Sequence, residues 1–405
     1  MLTKYLGDVI LSTKSDFTPS AVISINGQDV NSFLQSLSLQ QSIQDPDALY
    51  NSVFAQLAQQ SIGQGPPTFT NPTLYPGPET TLTFENGTTR TFQNLGTVVG
   101  DFEGVSSGEK FYKKFCTPSE TTESAAASST TTTPTPEPTA PGYPFPVIKH
   151  SRDLVGGYFL NGTDVAVLSI PSFNAEQGFE DIQEFQSVVQ KFLGKCVKEG
   201  KKKLVIDLQA NGGGKILLGY DTFKQLFPTI QPYGASNLRA HESANIIGRK
   251  GSDLIGEIPE GDVEDQIQSG AYEWYNYRAS LDVNDKPYSS WTQLYGPVDT
   301  GTGNVTNLLR QRLDWPVLTS LSQGIVVTGY NNRSTGFTQP FAPENIIMVT
   351  DGYCASTCAI FSEFMKQQGG VQSIALGGRP QLGPMQAVGG VKGYVQCPSH
   401  TKYLY

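Results

Sequence analysis

From Thr117 to Gly142 the chain reads TPSETTESAAASSTTTTPTPEPTAPG. Such a stretch has almost no large apolar residue, so it cannot bury enough surface to offset the entropy of ordering it. A chain interrupted in this way cannot build one continuous core. The 405 residues are therefore expected to divide into an N-terminal module at 1–116, a disordered Thr/Pro-rich linker at 117–142 and a larger domain at 143–405, in keeping with about 100 to 200 residues per domain. The linker's Ser and Thr also suit O-glycosylation.

Charge narrows the range of partners. Lys and Arg number 28 against 37 Asp and Glu, a net charge of −9, the opposite of a nucleic-acid-binding surface. The basic run Lys201-Lys202-Lys203 reads as a solvated turn at a helix exit. No apolar run reaches the ~18 to 20 residues of a membrane span, and Lys4, Asp8 and Lys14 break any signal-peptide core near the start. Only 16% of residues are charged, against about 25% in ordinary soluble domains. With 42 Gly, 26 Pro and acceptor sequons at Asn86, Asn161, Asn304 and Asn332, an extracellular or secretory-pathway location is the expectation, although these residues hold no signal peptide. Five cysteines are too sparse for a disulfide scaffold and leave at least one without a partner in the chain.

Periodicity sets the fold class. In the module, Val22, Ile23 and Ile25 form a strand stopped by Asn26-Gly27, and Val30, Phe33, Leu34 and Leu37 mark a helix. A second helix starts at Asp45-Pro46, with a good cap and Pro at its first position, and its apolar face is Leu49, Tyr50, Val53, Phe54 and Leu57. Asn86-Gly87 turns a hairpin. The first hundred residues thus read as one small α+β module. Beyond the linker the pattern is α/β: a strand at Val165–Ile170, a helix with Phe179, Ile182, Phe185, Val188, Val189, Phe192 and Cys196 on one face, and a strand at Leu204–Leu208. Residues 231–340 read as an insertion that covers a site or adds a wall. Its aromatic group around Tyr272, Trp274, Tyr275, Tyr277, Trp291 and Trp315 is more often a satellite core than a substrate surface. A buried strand returns at Asn345–Thr350.

Two turns could carry chemistry. Asp207-Leu-Gln-Ala-Asn-Gly-Gly-Gly214 runs from a strand into three glycines, which bare backbone N–H groups. The turn lacks a Walker ending and a dinucleotide spacing, which leaves an oxyanion hole or merely a sharp turn. Ser356, in Asp351-Gly-Tyr-Cys-Ala-Ser-Thr-Cys358, sits between a buried strand and a helix. There it serves either as a nucleophile or as a helix N-cap. Cys354 and Cys358 have no histidine near them in sequence, so burial or a disulfide is favoured over metal binding. No metal or cofactor is expected.

The pairing of DLQANGGG with DGYCASTC resembles the tail-specific, or C-terminal processing, serine peptidases of family forty-one. The likeness is nearest to the fungal branch related to the chlamydial protease-like activity factor. ISINGQDV is similar to the PDZ-like segment, LVIDLQANGGG to the oxyanion strand, IIMVTDGYCASTC to the nucleophile strand and LGGRPQLGPMQAVGGVKG to a downstream Gly-rich segment. The resemblance implies a ClpP/crotonase-like α/β core joined to a small α+β PDZ-like module. It makes Ser356 the nucleophile of an endopeptidase acting on peptides or proteins, with Thr357 and Gly213 or Gly214 forming the oxyanion hole. Val391-Lys-Gly-Tyr-Val-Gln396 is similar to the lysine context of the classical members, though farther downstream, and makes Lys392 a candidate base. The chlamydial-type branch uses a histidine before the PDZ-like module and an acidic residue nearer the C-terminus. Neither matches here, so an incomplete chain is expected. Two other readings stand beside this one: a non-catalytic peptide-binding pseudo-peptidase and a crotonase-like acyl-CoA enzyme. The latter is disfavoured because no basic site for nucleotide phosphates is apparent.

Overall fold

The computed structural model describes residues 20–62, 67–96, 101–117, 144–259, 261–315, 324–333 and 336–392. The Thr/Pro-rich stretch after Thr117, together with Cys397 and His400, lies outside the described residues. The rest falls into two units, one comprising residues up to Gln40 and from Pro72 to the stretch, the other Gln41–Asn71 and everything after it.

In the first unit β1 (Val22–Ile25) meets β2 (Gln28–Asp29) across the Asn26-Gly27 turn, where both residues have positive φ, 52° and 78°. Asp29 then caps α1 (Val30–Ser38) by accepting the N–H groups of Asn31 and Ser32, and Leu34 and Leu37 are buried. The second hairpin pairs β3 (Glu79–Phe84) with β4 (Thr89–Gln93) around Asn86-Gly87. Antiparallel pairing of β1 with β3 gives the sheet order β2-β1-β3-β4.

The helix expected at Asp45-Pro46 forms as α2 (Pro46–Ser52), with Asp45 accepting the N–H groups of Asp47 and Ala48. It stops before the expected Phe54, which is partly exposed. The sequence alone placed this helix in the N-terminal module, yet it groups with the second unit. The reason is its polar face. Asp45, Asp47 and Asn51 bond to Gln386, Arg379 and Asp351, partners some three hundred residues onward that no local pattern reveals.

The second unit is built on a six-stranded sheet containing β5 (Ile148–Lys149), β6 (Gly156–Phe159) and β7 (Val165–Ser169). After β7 come α3 (Phe179–Lys198), β8 (Lys203–Asp207), α4 (Ile216–Leu226) and, in the insertion, α5 (Glu242–Gly256). The chain closes with β9 (Ile346–Thr350), α6 (Thr357–Glu363) and β10 (Gln372–Ala375). The order is β10-β9-β8-β7-β6-β5, with β7 to β10 parallel and β5 and β6 antiparallel. Parallel strands covered on both faces need apolar residues throughout. Leu204, Ile206, Ile346 and Met348 accordingly sit in the main core with Ile182, Phe185, Val189 and Phe192 of α3. Most of the insertion's aromatic residues form satellite cores. Trp315 packs with Ile255 and Ala271, and Trp291 with Tyr288 and Leu294.

Candidate functional site

β8 and β9 are adjacent and parallel, with Val349 opposite Asp207, so their exits lie side by side at the C-terminal edge of the sheet. That edge is the usual ligand position in open α/β sheets. Each exit begins with a carboxylate, half-buried at Asp207 and buried at Asp351. Asp207 Oδ1 accepts the N–H of Gln209 at 3.0 Å, and Asp351 Oδ1 accepts that of Tyr353 at 3.1 Å. Asp351 also reaches across to the other turn, where its Oδ2 accepts the N–H of Ala210 at 2.8 Å. Ala210 has a φ of 64°, so the carboxylate fixes a strained residue. Burial pushes both aspartates above the usual carboxylate range, and for Asp351 the nearby charge of Asp207 adds to the effect.

The turn after β8 extends the sheet beyond its strands. Phe173 donates its N–H to Gly213 O at 2.8 Å, and Lys215 donates to Phe173 O at 2.9 Å. Asn211 Nδ2 donates to Ile170 O at 2.7 Å while its Oδ1 accepts the N–H of Gly213 at 2.8 Å. Gly213 and Gly214 hold φ values of 108° and 136°. A Cβ on Gly214 would lie 2.2 Å from the carbonyl carbon of Phe173, and one on Gly213 would lie 2.7 Å from Cβ of Ser356. Glycine is required here by conformation and by space alike.

The turn after β9 places Ser356 at φ 53°, ψ −120°, immediately before α6. The position is that of an N-cap, but the hydroxyl makes no capping bond. Its backbone N–H donates to Val391 O at 2.9 Å, and Gly389 and Gly390 donate to Gly352 O and Cys354 O at 2.9 and 3.0 Å. Residues 388–391 thus lie as a strap along the turn. A disulfide joins Cys354 to Cys358 across Ser356, with both cysteines fully buried. Thr357 Oγ1 donates to Gly214 O at 2.6 Å, which holds the two turns together. The Gly213 amide is occupied by Asn211, whereas those of Gly214 and Thr357 have no acceptor among the described residues. The junction therefore offers a half-buried hydroxyl beside two unused backbone donors.

The remaining candidates have partners of their own. Lys392 Nζ lies 2.5 Å from Glu363 Oε2 and donates to Ala235 O at 2.8 Å. Glu363 ends α6, on the order of 10 Å along the axis from Ser356 at about 1.5 Å per residue. His150 is fully buried, its Nδ1 accepting the N–H of Arg152 and its Nε2 2.9 Å from Asp181 O. His241 caps α5 by accepting the N–H of Ala244 at 3.2 Å. Among the described residues no group of three or more His, Cys, Asp or Glu is placed to hold a metal. Burial pushes the free Cys196 thiol up to about 12, so it stays protonated. Neither Asp351 nor Asn51 is among the site residues expected from the sequence. An aspartate ending both strands, Asp207 and Asp351, was the available signal for the first. Asn51 offered none.

A family model described as a CPAF-like PDZ domain matches residues 4–103, and one for peptidase family S41 matches residues 164–380. Among curated proteins, the chain is similar to the peptidase S41 family protein ustP of Aspergillus flavus, 35% identical over 324 residues, covering 77% of this chain and 65% of that protein. It is also similar to the peptidase S41 family protein phomP1' of Diaporthe leptostromiformis, 30% identical over 390 residues, covering 92% of this chain and 57% of that one. The chain thus spans roughly three fifths of the length of these relatives. Among solved structures, mature CPAF aligns with a TM-score of 0.39 and 14% identity over 88% of this chain and 63% of that one. With one family model covering more than half of its residues, the chain belongs to peptidase family S41.

Proposed function

We propose that the chain acts as a serine endopeptidase on peptide or protein substrates, with Ser356 as nucleophile. The observation that carries this reading is the Ser356 backbone, held at φ 53° with its hydroxyl unused for capping. Helix caps ordinarily adopt extended backbone and use the side chain, whereas a non-glycine residue held in such a region costs about 1 to 3 kcal/mol and marks functional turns. In the proposed reaction Ser356 Oγ adds to the substrate carbonyl carbon and passes its proton to a base. The carbonyl oxygen, now negative, accepts the N–H groups of Gly214 and Thr357. Collapse expels the amine, which takes the proton, and water then hydrolyses the acyl-enzyme. Lys392 is the base in this proposal. It must first leave Glu363 and give up a proton, since an ammonium cannot accept one. That ion pair is the observation favouring the other reading, a peptide-binding protein whose serine is unactivated.

A fluorophosphonate probe separates the two. The parent protein is expected to label and Ser356→Ala not to. Lys392→Met is expected to slow labelling by about 100-fold or more, the usual contribution of a general base. Equal labelling of the parent and Ser356→Ala overturns the peptidase reading, and unchanged labelling of Lys392→Met removes the lysine from it. We further propose a secretory-pathway or extracellular location. Its support is the exposure of all four sequon asparagines and the Cys354–Cys358 disulfide. Endoglycosidase treatment of the native protein that leaves its mass unchanged counts against it.

A further inference from the structure

Beyond its strand, a parallel ladder runs out of partners, and exposed peptide groups at the exit need another source of hydrogen bonds. At the exits of β9 and β10 that source is Asn51. Its Nδ2 donates to Asp351 O at 2.7 Å and to Leu376 O at 3.0 Å, and its Oδ1 accepts the N–H of Gly378 at 2.7 Å. Both amide hydrogens and the carbonyl oxygen are thus engaged, close to the full capacity of a carboxamide. Asp351 O belongs to the first peptide of the turn that carries Ser356. Leu376 is tied to the same strand, since its N–H donates to Thr350 O at 2.8 Å.

The neighbours of Asn51 on α2 grip the chain that follows. Asp47 Oδ1 accepts both the N–H and the Nε–H of Arg379 at 2.9 Å, and Asp45 Oδ2 accepts from Gln386 Nε2 at 2.9 Å. That chain leads into the strap whose Val391 carbonyl takes the Ser356 N–H. Both ends of the turn, the Asp351 carbonyl and the Ser356 amide, therefore trace back to one short helix. We infer that Asn51 is a positioning residue for Ser356, setting the path of the nucleophile turn by fixing its first carbonyl against the exit of β10. The consequence for catalysis rests on the reading of Ser356 as nucleophile; the clamp itself does not.

The test uses the full chain with Asn51→Asp, Asn51→Ala and Ser356→Ala, reading amide hydrogen exchange by mass spectrometry and the rate of fluorophosphonate labelling. Asn51→Asp keeps the shape and the acceptor for Gly378, but as a carboxylate it cannot donate to the two carbonyls. It is expected to speed exchange across 351–358 by about tenfold, the worth of a typical lost hydrogen bond, while exchange in α3 is unchanged. The limiting first-order constant for labelling should fall by about the same factor with the half-saturating probe concentration and the fraction labelled at completion unchanged, whereas loss of folded protein lowers the labelled fraction instead. Unaltered exchange across 351–358 in both Asn51 variants overturns the inference, whatever the labelling does. Equal labelling of the parent and Ser356→Ala overturns the catalytic reading instead, and the exchange result then stands alone for or against the clamp.

Discussion

The turns after β8 and β9 start alike, each with an aspartate accepting the amide two residues on, and then diverge in how they hold their shape. After β8 the positive φ values fall largely on Gly213 and Gly214, which tolerate them. The other bonds there are local, run to Ile170 and Phe173 on the next strand exit, or come from Thr357 and Asp351 in the facing turn. After β9 positive φ falls on Gly352 and also on a serine, and restraint is concentrated around the serine: a disulfide, the 388–391 strap and the Asn51 clamp. Ala210 obeys the same rule from inside the glycine turn. It is that turn's non-glycine residue at positive φ, and its amide is the one held by Asp351. A turn made of permissive residues needs few external ties. A turn that must present a side chain from a strained backbone needs many.

The severest way to break the comparison is to remove permissiveness where no tie compensates. Gly214→Ala puts a Cβ 2.2 Å from backbone at a φ of 136°, and it is expected to cost about 3 kcal/mol or more, read as a lower urea midpoint. A midpoint within experimental scatter of the parent would show that the glycine turn yields.

Next in size is loss of a tie where permissiveness is missing. The Cys354–Cys358 bridge closes a short loop, with a sequence separation of 4. In the chain-entropy model such a loop contributes about 2 kcal/mol. Cys354→Ala/Cys358→Ala should lose about that much stability, and its probe labelling should fall further than the folded fraction does. Labelling that tracks the folded fraction would make the bridge a stabiliser without a role in the turn.

Much of this arrangement could be read along the chain. The βαβ unit at 165–208, the Asn-Gly turns and the Asp45-Pro46 helix start all followed from periodicity and capping, because their causes lie within a few residues of one another. The Gly213-Gly214 turn and Ser356 stand out by residue type, the family resemblance adds Thr357, and the fold brings all four to one junction. Asn51 and the affiliation of α2 were not legible. Their partners are Asp351, Leu376, Gly378 and Arg379, and a lone sequence carries no signal of pairs so far apart. Lys392 shows the converse limit. Its local context resembles a base motif, while its ammonium is engaged by Glu363 and Ala235.

Strain at Ser356 can be measured by removing it. Ser356→Gly and Ser356→Ala both delete the hydroxyl, but only glycine relaxes at φ 53°. Strain relief of about 1 to 3 kcal/mol, less the 0.5 to 1 that glycine loses in entropy, about 1 kcal/mol in all, should leave Ser356→Gly the more stable of the two. The opposite order in a thermal melt would mean that the ties, rather than the residue, set the conformation without strain.

The smallest effect concerns Asp351, whose side chain, like that of Thr357, joins the two turns. Burial is the leading influence on Asp351 and raises its carboxyl above 3.8, outweighing the amides of Ala210 and Tyr353 that favour the anion. A carboxyl raised in the folded state contributes stability that is fully present below its unfolded value and is lost as pH rises through its folded value. Asp351→Asn does not titrate, so its stability relative to the parent should improve as pH rises from about 3.8 through the raised value and level off above it. Function should move the other way. Asparagine has one acceptor oxygen where the carboxylate serves two amides, so either Ala210 or Tyr353 loses its partner and labelling of Ser356 should slow at neutral pH. A relative stability that instead declines with pH would show the two amide bonds outweighing burial. Asp351 would then stabilise the fold as well as join the turns. With the expected slope, the carboxylate is held at the expense of stability for the geometry it imposes on both turns.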